Sequence, residues 1–292
     1  MTTIRTMGTC RLSRLLLTIC CCLVLCGPAI AADEGADHDA EADELAKEVQ
    51  NPLANLVTLP FQFNYNKGVD TGPIAGGDLE GGRTFFNLNV QPVVPFPGEK
   101  WNIISRTIIP INSVPIDGTE SIFGLGDVSF SLFWSPAKPV KGITWGVGPA
   151  FVLPTASNPE VLGKEKWSLG PTAVIFYGVK NWTVGAVASN VWSVAGNDDR
   201  QDVNFFTAQW FANYNFGKGL ALGTAPIITC DWKRESGDEC TIPWGLQISK
   251  VLFLGQRPTN LIFGYYKNTT HPDKGAENQV RFQINFMFPQ KK

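Results

Sequence analysis

The chain is written in a two-residue rhythm. Thr58–Asn66 reads TLPFQFNYN, with Phe61, Phe63 and Tyr65 on one side and Gln62, Asn64 and Asn66 on the other. Residues 84–94 set Phe86, Leu88 and Val90 against Asn87, Asn89 and Gln91. Residues 127–134 set Val128, Phe130, Leu132 and Trp134 against Asp127, Ser129 and Ser131. Near the C-terminus Val280, Phe282, Ile284, Phe286 and Phe288 alternate with Gln279, Arg281, Gln283 and Asn285. Side chains of an extended chain point alternately to opposite faces, so each stretch predicts a strand with one apolar and one amide-rich face. Twelve such segments follow one another: 58–66, 84–94, 101–110, 124–134, 142–153, 167–177, 181–193, 203–216, 219–230, 241–251, 259–268 and 278–288. Segments 142–153, 167–177 and 181–193 are Gly-rich and alternate less cleanly. No amphipathic helical period lies between the segments, which excludes βαβ architectures.

The links carry equal information. Those at 95–100, 135–141, 178–180 and 217–218 are short, while 67–83, 111–123, 154–166 and 231–240 are long. The span 194–202 is intermediate, 252–258 is shorter, and 269–277 is longer again. Short and long links in alternation are expected when every second turn lies at the same end of a closed up-and-down sheet. An even strand number, short periplasmic turns and longer outer loops characterise bacterial outer-membrane barrels. The predicted fold is therefore all-β, a closed antiparallel up-and-down transmembrane β-barrel of about 12 strands over residues 58–292. In lipid an open sheet edge leaves backbone groups unpaired at several kcal/mol each, so the first and last strands must pair.

Tryptophan and charge placement test this independently. Trp101, Trp134, Trp145 and Trp182 fall at the short-turn end, Trp167, Trp192, Trp232 and Trp244 at the long-loop end, and only Trp210 mid-strand. Two aromatic girdles at the bilayer interfaces give this distribution; a soluble sandwich has no reason to. The short turns carry Lys100, Lys138, Lys141, Lys180, Lys218 and Arg257 with a single acid, Glu99. Only 17% of the residues are charged, against roughly 25% in an average soluble domain. The net charge of −2 gives no general attraction to nucleic acid, so the expected partners are membrane lipid and small-molecule solutes. The competing soluble barrel or sandwich would bury the aromatic faces and expose the amide ones.

Residues 1–31 predict a secretory signal peptide: Arg5, Arg11 and Arg14, then the apolar run Leu15–Cys26, then the A-x-A site Ala29-Ile30-Ala31. Export and a barrel together predict the outer membrane of a Gram-negative-type bacterium. Five of the seven cysteines lie within that leader, leaving Cys230 and Cys240 as a disulfide candidate in an oxidising compartment. Residues 32–57 form an arm. Its first part, 32–50, is acidic and Ala-rich, which predicts a disordered or loosely helical segment. Leu53, Leu56, Val57 and Leu59 favour packing against something, so the arm is either a luminal plug or a free periplasmic segment.

The inward faces supply candidate pore residues: Gln62, Asn64, Asn87, Asn89, Gln91, Arg106, Asp127, Ser129, Ser131, Gln209, Asn213, Arg281, Gln283 and Asn285. Arg106 and Asp127 lie on consecutive strands and could pair, either as part of a charged constriction or as a neutralised pair that fixes register. Asp127 follows Gly124-Leu125-Gly126, where a bulge or close backbone approach is permitted. No catalytic residue is expected. There is no G-x-S-x-G, and His271, in a predicted outer loop, is the one His of the barrel region. Two His and two mature Cys leave no metal set, and no cofactor is expected.

ELAKEVQNPLANLVTLPFQFNYN (44–66), QPVVPF (91–96), FGLGDVSFSLFWSP (123–136), WGVGPAFVLPTAS (145–157), WSLGPTAVIFY (167–177) and NWTVGAVASNVWSVAG (181–196) occur in this order. With them the chain resembles the phenol-degradation meta-pathway family of bacterial outer-membrane β-barrel transporters. The resemblance implies an outer-membrane barrel that passes small molecules, aromatic or hydrophobic ones among the candidates; no catalytic motif transfers with it. The expected function is a channel for passive passage of small molecules. The alternatives are a structural or surface-binding barrel with a blocked lumen and, behind it, an outer-membrane hydrolase.

Overall fold

The computed structural model describes residues 34–69, 83–116, 120–273 and 275–289. The signal-peptide expectation and most of the link at 67–83 lie outside the described residues. The chain divides into the units Met1–His38 and Asp39–Lys292, and the second contains the barrel.

The expected strands form, mostly longer than the alternation alone marks them. They are β1 (Leu56–Val69), β2 (Arg83–Val90), β3 (Val93–Phe96), β4 (Trp101–Pro115), β5 (Ser121–Leu125), β6 (Val128–Pro136), β7 (Ile143–Leu153) and β8 (Lys166–Val179). There follow β9 (Trp182–Gly196), β10 (Asn204–Gly217), β11 (Leu220–Thr224), β12 (Ile227–Asp231), β13 (Cys240–Leu254), β14 (Arg257–Thr270) and β15 (Asn278–Pro289). β2–β3, β5–β6 and β11–β12 are each one stave interrupted by two residues, so the barrel has twelve staves. All pair antiparallel with their sequence neighbours, and β1 closes on β15 from Leu56↔Pro289 to Lys67↔Asn278. No sheet edge is left open to lipid.

Each interruption has a chemical cause. Pro92 and Pro226 have no N–H to give a ladder. At Gly126 a Cβ would sit 2.7 Å from Asn112 Nδ2 and 3.1 Å from Pro110 Cγ, so only glycine lets these staves approach. Backbone bonds close around the gaps: Gln91 N–H to Pro60 O, 2.9 Å, and Gly126 N–H to Pro110 O, 2.9 Å.

Two of the expected links are shorter than the alternation suggests. β4 and β5 pair out to Pro115↔Ser121, reducing the link read as 111–123 to residues 116–120. β13 and β14 pair to Leu254↔Arg257, reducing 252–258 to Gly255-Gln256. In both cases backbone pairing continues past the last alternating side chain. Lys218-Gly219 closes β10–β11 with both residues at positive φ (55° and 72°), the geometry a two-residue hairpin requires.

The two faces differ as the alternation predicts. Along β1, Gln62, Asn64 and Asn66 are buried while Tyr65 is exposed. Phe61, Phe63 and Leu59 stand opposite Ile284, Phe282 and Phe286 on the outer face, and Gln62 and Asn64 stand opposite Gln283 and Arg281 on the inner one. Trp101, Trp134 and Trp182 are exposed at the short-turn end, and Trp167, Trp192, Trp232 and Trp244 at the other. Apolar side chains out and amides in is the surface of an outer-membrane barrel, and the protein is placed in that membrane. Cys230 and Cys240, directly opposite on β12 and β13, are joined by a disulfide at the outer mouth.

A helix α1 (Glu34–Val49) precedes β1. The acidic composition led to the expectation of a disordered or loosely helical segment; from Asp39 on, it is a regular helix held by tertiary contact. Ala42, Leu45 and Ala46 share one stripe and pack on Leu56, Val251 and Met287. A single-turn helix α2 (Pro159–Leu162) lies in the β7–β8 loop, capped by Asn158, whose Oδ1 accepts from Val161 N–H at 3.2 Å.

Candidate functional site

The inner faces of the staves enclose two cavities. The inner one, about 190 Å³, is lined by Gln62, Asn213, Gln247, Asn260, Arg281, Gln283 and Asn285, and by arm residues from Glu48 to Leu56. The outer one, about 770 Å³, opens among the long loops and is lined by Asn89, Asp127, Ser129, Ser131, Ser168 and Thr172, with Phe151, Leu162, Val191 and Phe205. Gln91, Arg106, Phe133, Val187 and Gln209 line both and so form the neck between them.

Amides tie the wall of the inner cavity into one network. Arg106 Nη2 donates to Gln91 Oε1 (2.8 Å), Gln91 Nε2 to Gln62 Oε1 (2.7 Å), and Gln62 Nε2 to Asn64 Oδ1 (3.0 Å). From the other side Arg281 Nε donates to the same Asn64 Oδ1 at 3.3 Å. A branch runs from Asn64 Nδ2 to Asn87 Oδ1 and from Asn87 Nδ2 to Asn112 Oδ1. Each amide has both a donor and an acceptor, which is what lets a strand row of Asn and Gln satisfy itself where water is scarce.

Arg281, 2% exposed, is the most enclosed charge among the described residues. Nη1 donates to Ala225 O and Nη2 to Gln279 Oε1, both at 2.8 Å, and the guanidinium lies 4.7 Å over the Tyr266 ring. Tyr266 in turn donates to Gln247 Oε1 (2.9 Å) and accepts from Ala225 N–H (3.3 Å). The Ala225-Pro226 interruption of the β11–β12 stave is thus the point where the wall bends in to meet Arg281.

The arm crosses the short-turn end of the lumen. At the Lys218-Gly219 turn, Asp43 Oδ1 accepts from Gly219 N–H (2.5 Å) and Asp39 pairs with Lys218 Nζ (3.1 Å). Farther along, Gln50 Nε2 donates to Asn215 Oδ1 (3.0 Å) and Gln50 Oε1 accepts from the Thr183 hydroxyl. Leu53 then packs among Ile104, Phe133 and Val174, on staves opposite those that hold α1. Asn51 Oδ1 accepts from Leu53 N–H at 3.0 Å, turning the chain toward β1.

At the outer mouth, Asp127 Oδ1 accepts from Thr155 and Ala156 N–H (both 3.1 Å) and Oδ2 from Lys164 N–H (2.7 Å). One carboxylate thereby pins both ends of the β7–β8 loop. Lys166 Nζ lies 3.4 Å from Asp202, and Lys164 Nζ 3.9 Å from Asp231. The Ser193 hydroxyl and then Lys166 hold the Asp202 carboxyl below the usual carboxylate range. Charge-assisted bonds contribute about 1.5–3 kcal/mol each where water is excluded, less in a wet mouth. Asp127→Ala is therefore expected to free the loop without unfolding the barrel. Trypsin should then cut after Lys164 in the variant and spare it in the native chain, with heat-modifiable gel migration unchanged.

The sequence candidates fall as follows. Gln62, Gln91, Arg106, Gln209, Asn213, Arg281, Gln283 and Asn285 line the inner cavity, and Asn89, Asp127 and Ser129 the outer one. Asn64 and Asn87 belong to the amide network in the wall. Arg106 and Asp127 do not pair: Arg106 binds Gln91, and Asp127 binds loop backbone. Register explains it. Arg106 stands opposite Ser131, so Asp127 lies four residues farther out, roughly 13 Å along the stave. Lys166, read as a loop residue, opens β8 and faces inward. The sequence reading named Leu53 as a packing residue of the arm but missed Gln50, Gln247, Ser249, Asn260 and Tyr266. Alternation with Leu246 and Ile248 marks Gln247 and Ser249; nothing local marks Tyr266, since Tyr265 beside it faces out.

Fold and lumen together define an outer-membrane β-barrel. The chain belongs to the family described as "Putative MetA-pathway of phenol degradation", whose model matches residues 63–228. Among solved structures it is similar in fold to an outer-membrane channel from Pseudomonas putida F1, with a TM-score of 0.59, 13% identity, and coverage of 81% of this chain and 97% of that one. It is similar also to the NanC porin, with a TM-score of 0.50, 9% identity, and coverage of 80% and 100%. The outer membrane phospholipase A from Escherichia coli has a TM-score of 0.48 at 14% identity, with coverage of 85% of this chain and 98% of that one. No curated protein matches the chain.

Proposed function

We propose that the protein is a passive outer-membrane channel for small molecules, held closed at its periplasmic end by its own arm. The observation that carries the reading is the pair of cavities, an amide-walled inner one and an outer one of mixed lining, that share a neck of five residues beside the arm. A barrel kept only for structure or surface binding has no need of an interior of this size lined by amides. The outer cavity mixes Phe151, Val191 and Phe205 with Ser129, Ser131 and Thr172. That lining suits solutes with one apolar and one polar side, small aromatic compounds among them. No catalytic step enters the reading: His271 sits on the outer loop 271–277, its Nδ1 3.0 Å from the Pro272 carbonyl oxygen.

The test is swelling of liposomes carrying the purified full-length barrel, in sugars and in small aromatic solutes. Uptake of small aromatic solutes ahead of disaccharides supports the channel. Vesicles that stay sealed to every solute, with the arm in place and with its contacts removed, leave a blocked barrel as the reading.

A further inference from the structure

We propose that the neck favours small organic anions, carboxylates above all, through Arg106 with Arg281 behind it. The inference rests on the channel reading and names its solute class. Arg106 is the one charged side chain among the five that form the neck. A guanidinium has five N–H donors. Among the described residues Arg106 places one hydrogen bond, Nη2 to Gln91 Oε1, and its other donors are left to the lumen.

Arg281 is held on neutral groups alone: two amide oxygens, the Ala225 carbonyl and the face of Tyr266. Neither arginine lies in an ion pair with a described carboxylate. The amide chain Gln91–Gln62–Asn64 joins the two guanidiniums, and every carbonyl in it is turned toward a positive group or toward the next amide.

The acids that face this region do not cancel it. Glu48 of the arm is the one carboxylate on the inner cavity among its described residues. On the outer cavity Asp127 is spent on three backbone N–H groups, while Asp202 and Asp231 face Lys166 and Lys164. Glu160 also lines that cavity, where Lys164, Lys166 and Arg200 outnumber the acids not already bound to backbone. What remains where the two cavities share their lining is the positive charge of Arg106 within the protein interior, where fields are focused and poorly screened. A carboxylate is the planar partner that a guanidinium fork fits with two bonds.

The experiment is the reversal potential of the full-length protein in planar bilayers under a KCl gradient, repeated with potassium benzoate. Chloride and benzoate should outrun potassium. Arg106→Gln should lower the anion-to-cation permeability ratio roughly tenfold, as expected for loss of one charge beside the path, and Arg106→Lys should keep it. Gln209→Glu, which adds a negative charge to the same neck, should reverse the preference, and it serves if Arg106→Gln fails to give a heat-modifiable barrel. Potassium preference in the native protein, or a ratio unmoved in folded Arg106→Gln and Gln209→Glu, overturns the proposal and leaves the channel standing. A protein silent to every ion removes the channel, and this inference with it.

Discussion

Replacing Gln50 with Ala and Leu53 with Asp together raises the conductance of the barrel by at least about tenfold, because the energy that holds the arm across the lumen is concentrated there. Leu53 is 5% exposed and packs on Ile104, Phe133 and Val174. Losing that burial costs about 1.5–3 kcal/mol, and each 1.4 kcal/mol is a factor of ten in the closed-to-open ratio. An ionised Asp in the same apolar site adds several kcal/mol more. Gln50 contributes two hydrogen bonds, to Asn215 and Thr183, of about 1 kcal/mol net each. By contrast the Asp39–Lys218 pair is exposed, and such pairs are worth about 0–1 kcal/mol, so Lys218→Ala should change little. The contacts of Ala42, Leu45 and Ala46 with Val251 and Met287 survive in the double variant, so the segment swings on a tether. Single-channel recording distinguishes the two states. If the double variant folds and its conductance equals that of the native chain, the arm does not close the path.

Where the fold was legible in sequence, and where it was not, follows from what each inward position touches. The alternation is clean on β1, β2 and β15 because lipid lies on one side and self-satisfied amides on the other, as with Phe63 beside Asn64. It fades in 142–153, 167–177 and 181–193 partly because the inner face turns apolar toward the short-turn end: Val174 and Phe176 of β8 face inward toward Leu53 and Phe211. Those stretches are Gly-rich and alternate less cleanly because part of their inner face, at Val174 and Phe176, is covered by the barrel's own arm and by Phe211, while Ser168 and Thr172 still line the outer cavity. The choice between plug and free arm was not legible for the same reason, since Leu53 meets residues 51 to 121 positions away. Arg281 could be placed on the inner face from its neighbours, but its partners Tyr266 and Ala225 come from the turn of the closed sheet and not from any local pattern.

The second large effect separates two adjacent residues. Ile284 faces outward near the middle of β15, between Phe61 on β1 and Leu261 on β14. Gln283, one position earlier, faces the lumen and lines the inner cavity. Arg on the lipid face of a barrel at the bilayer midplane costs about 2–4 kcal/mol, because its charge has no water within reach except by deforming the membrane. Ile284→Arg should therefore lower the unfolding free energy in lipid vesicles by that amount and deplete the protein from the outer membrane. Gln283→Arg enters the polar inner cavity, gives up the bond Gln283 donates to Asn285 Oδ1 and should cost about 1 kcal/mol, well below the lipid-face substitution. A water-soluble barrel with a hydrocarbon core would give the same order, Gln283→Arg tolerated and Ile284→Arg ruinous, through a buried charge that vesicles could not relieve. The discriminating measurement is thus made in both media. Native protein that folds in lipid vesicles and precipitates from detergent-free buffer, with Ile284→Arg impaired in the vesicles, fits lipid against Phe61, Leu261 and Ile284. A native chain that folds without lipid, or an Ile284→Arg variant as stable in vesicles as Gln283→Arg, would mean that these side chains do not face the membrane.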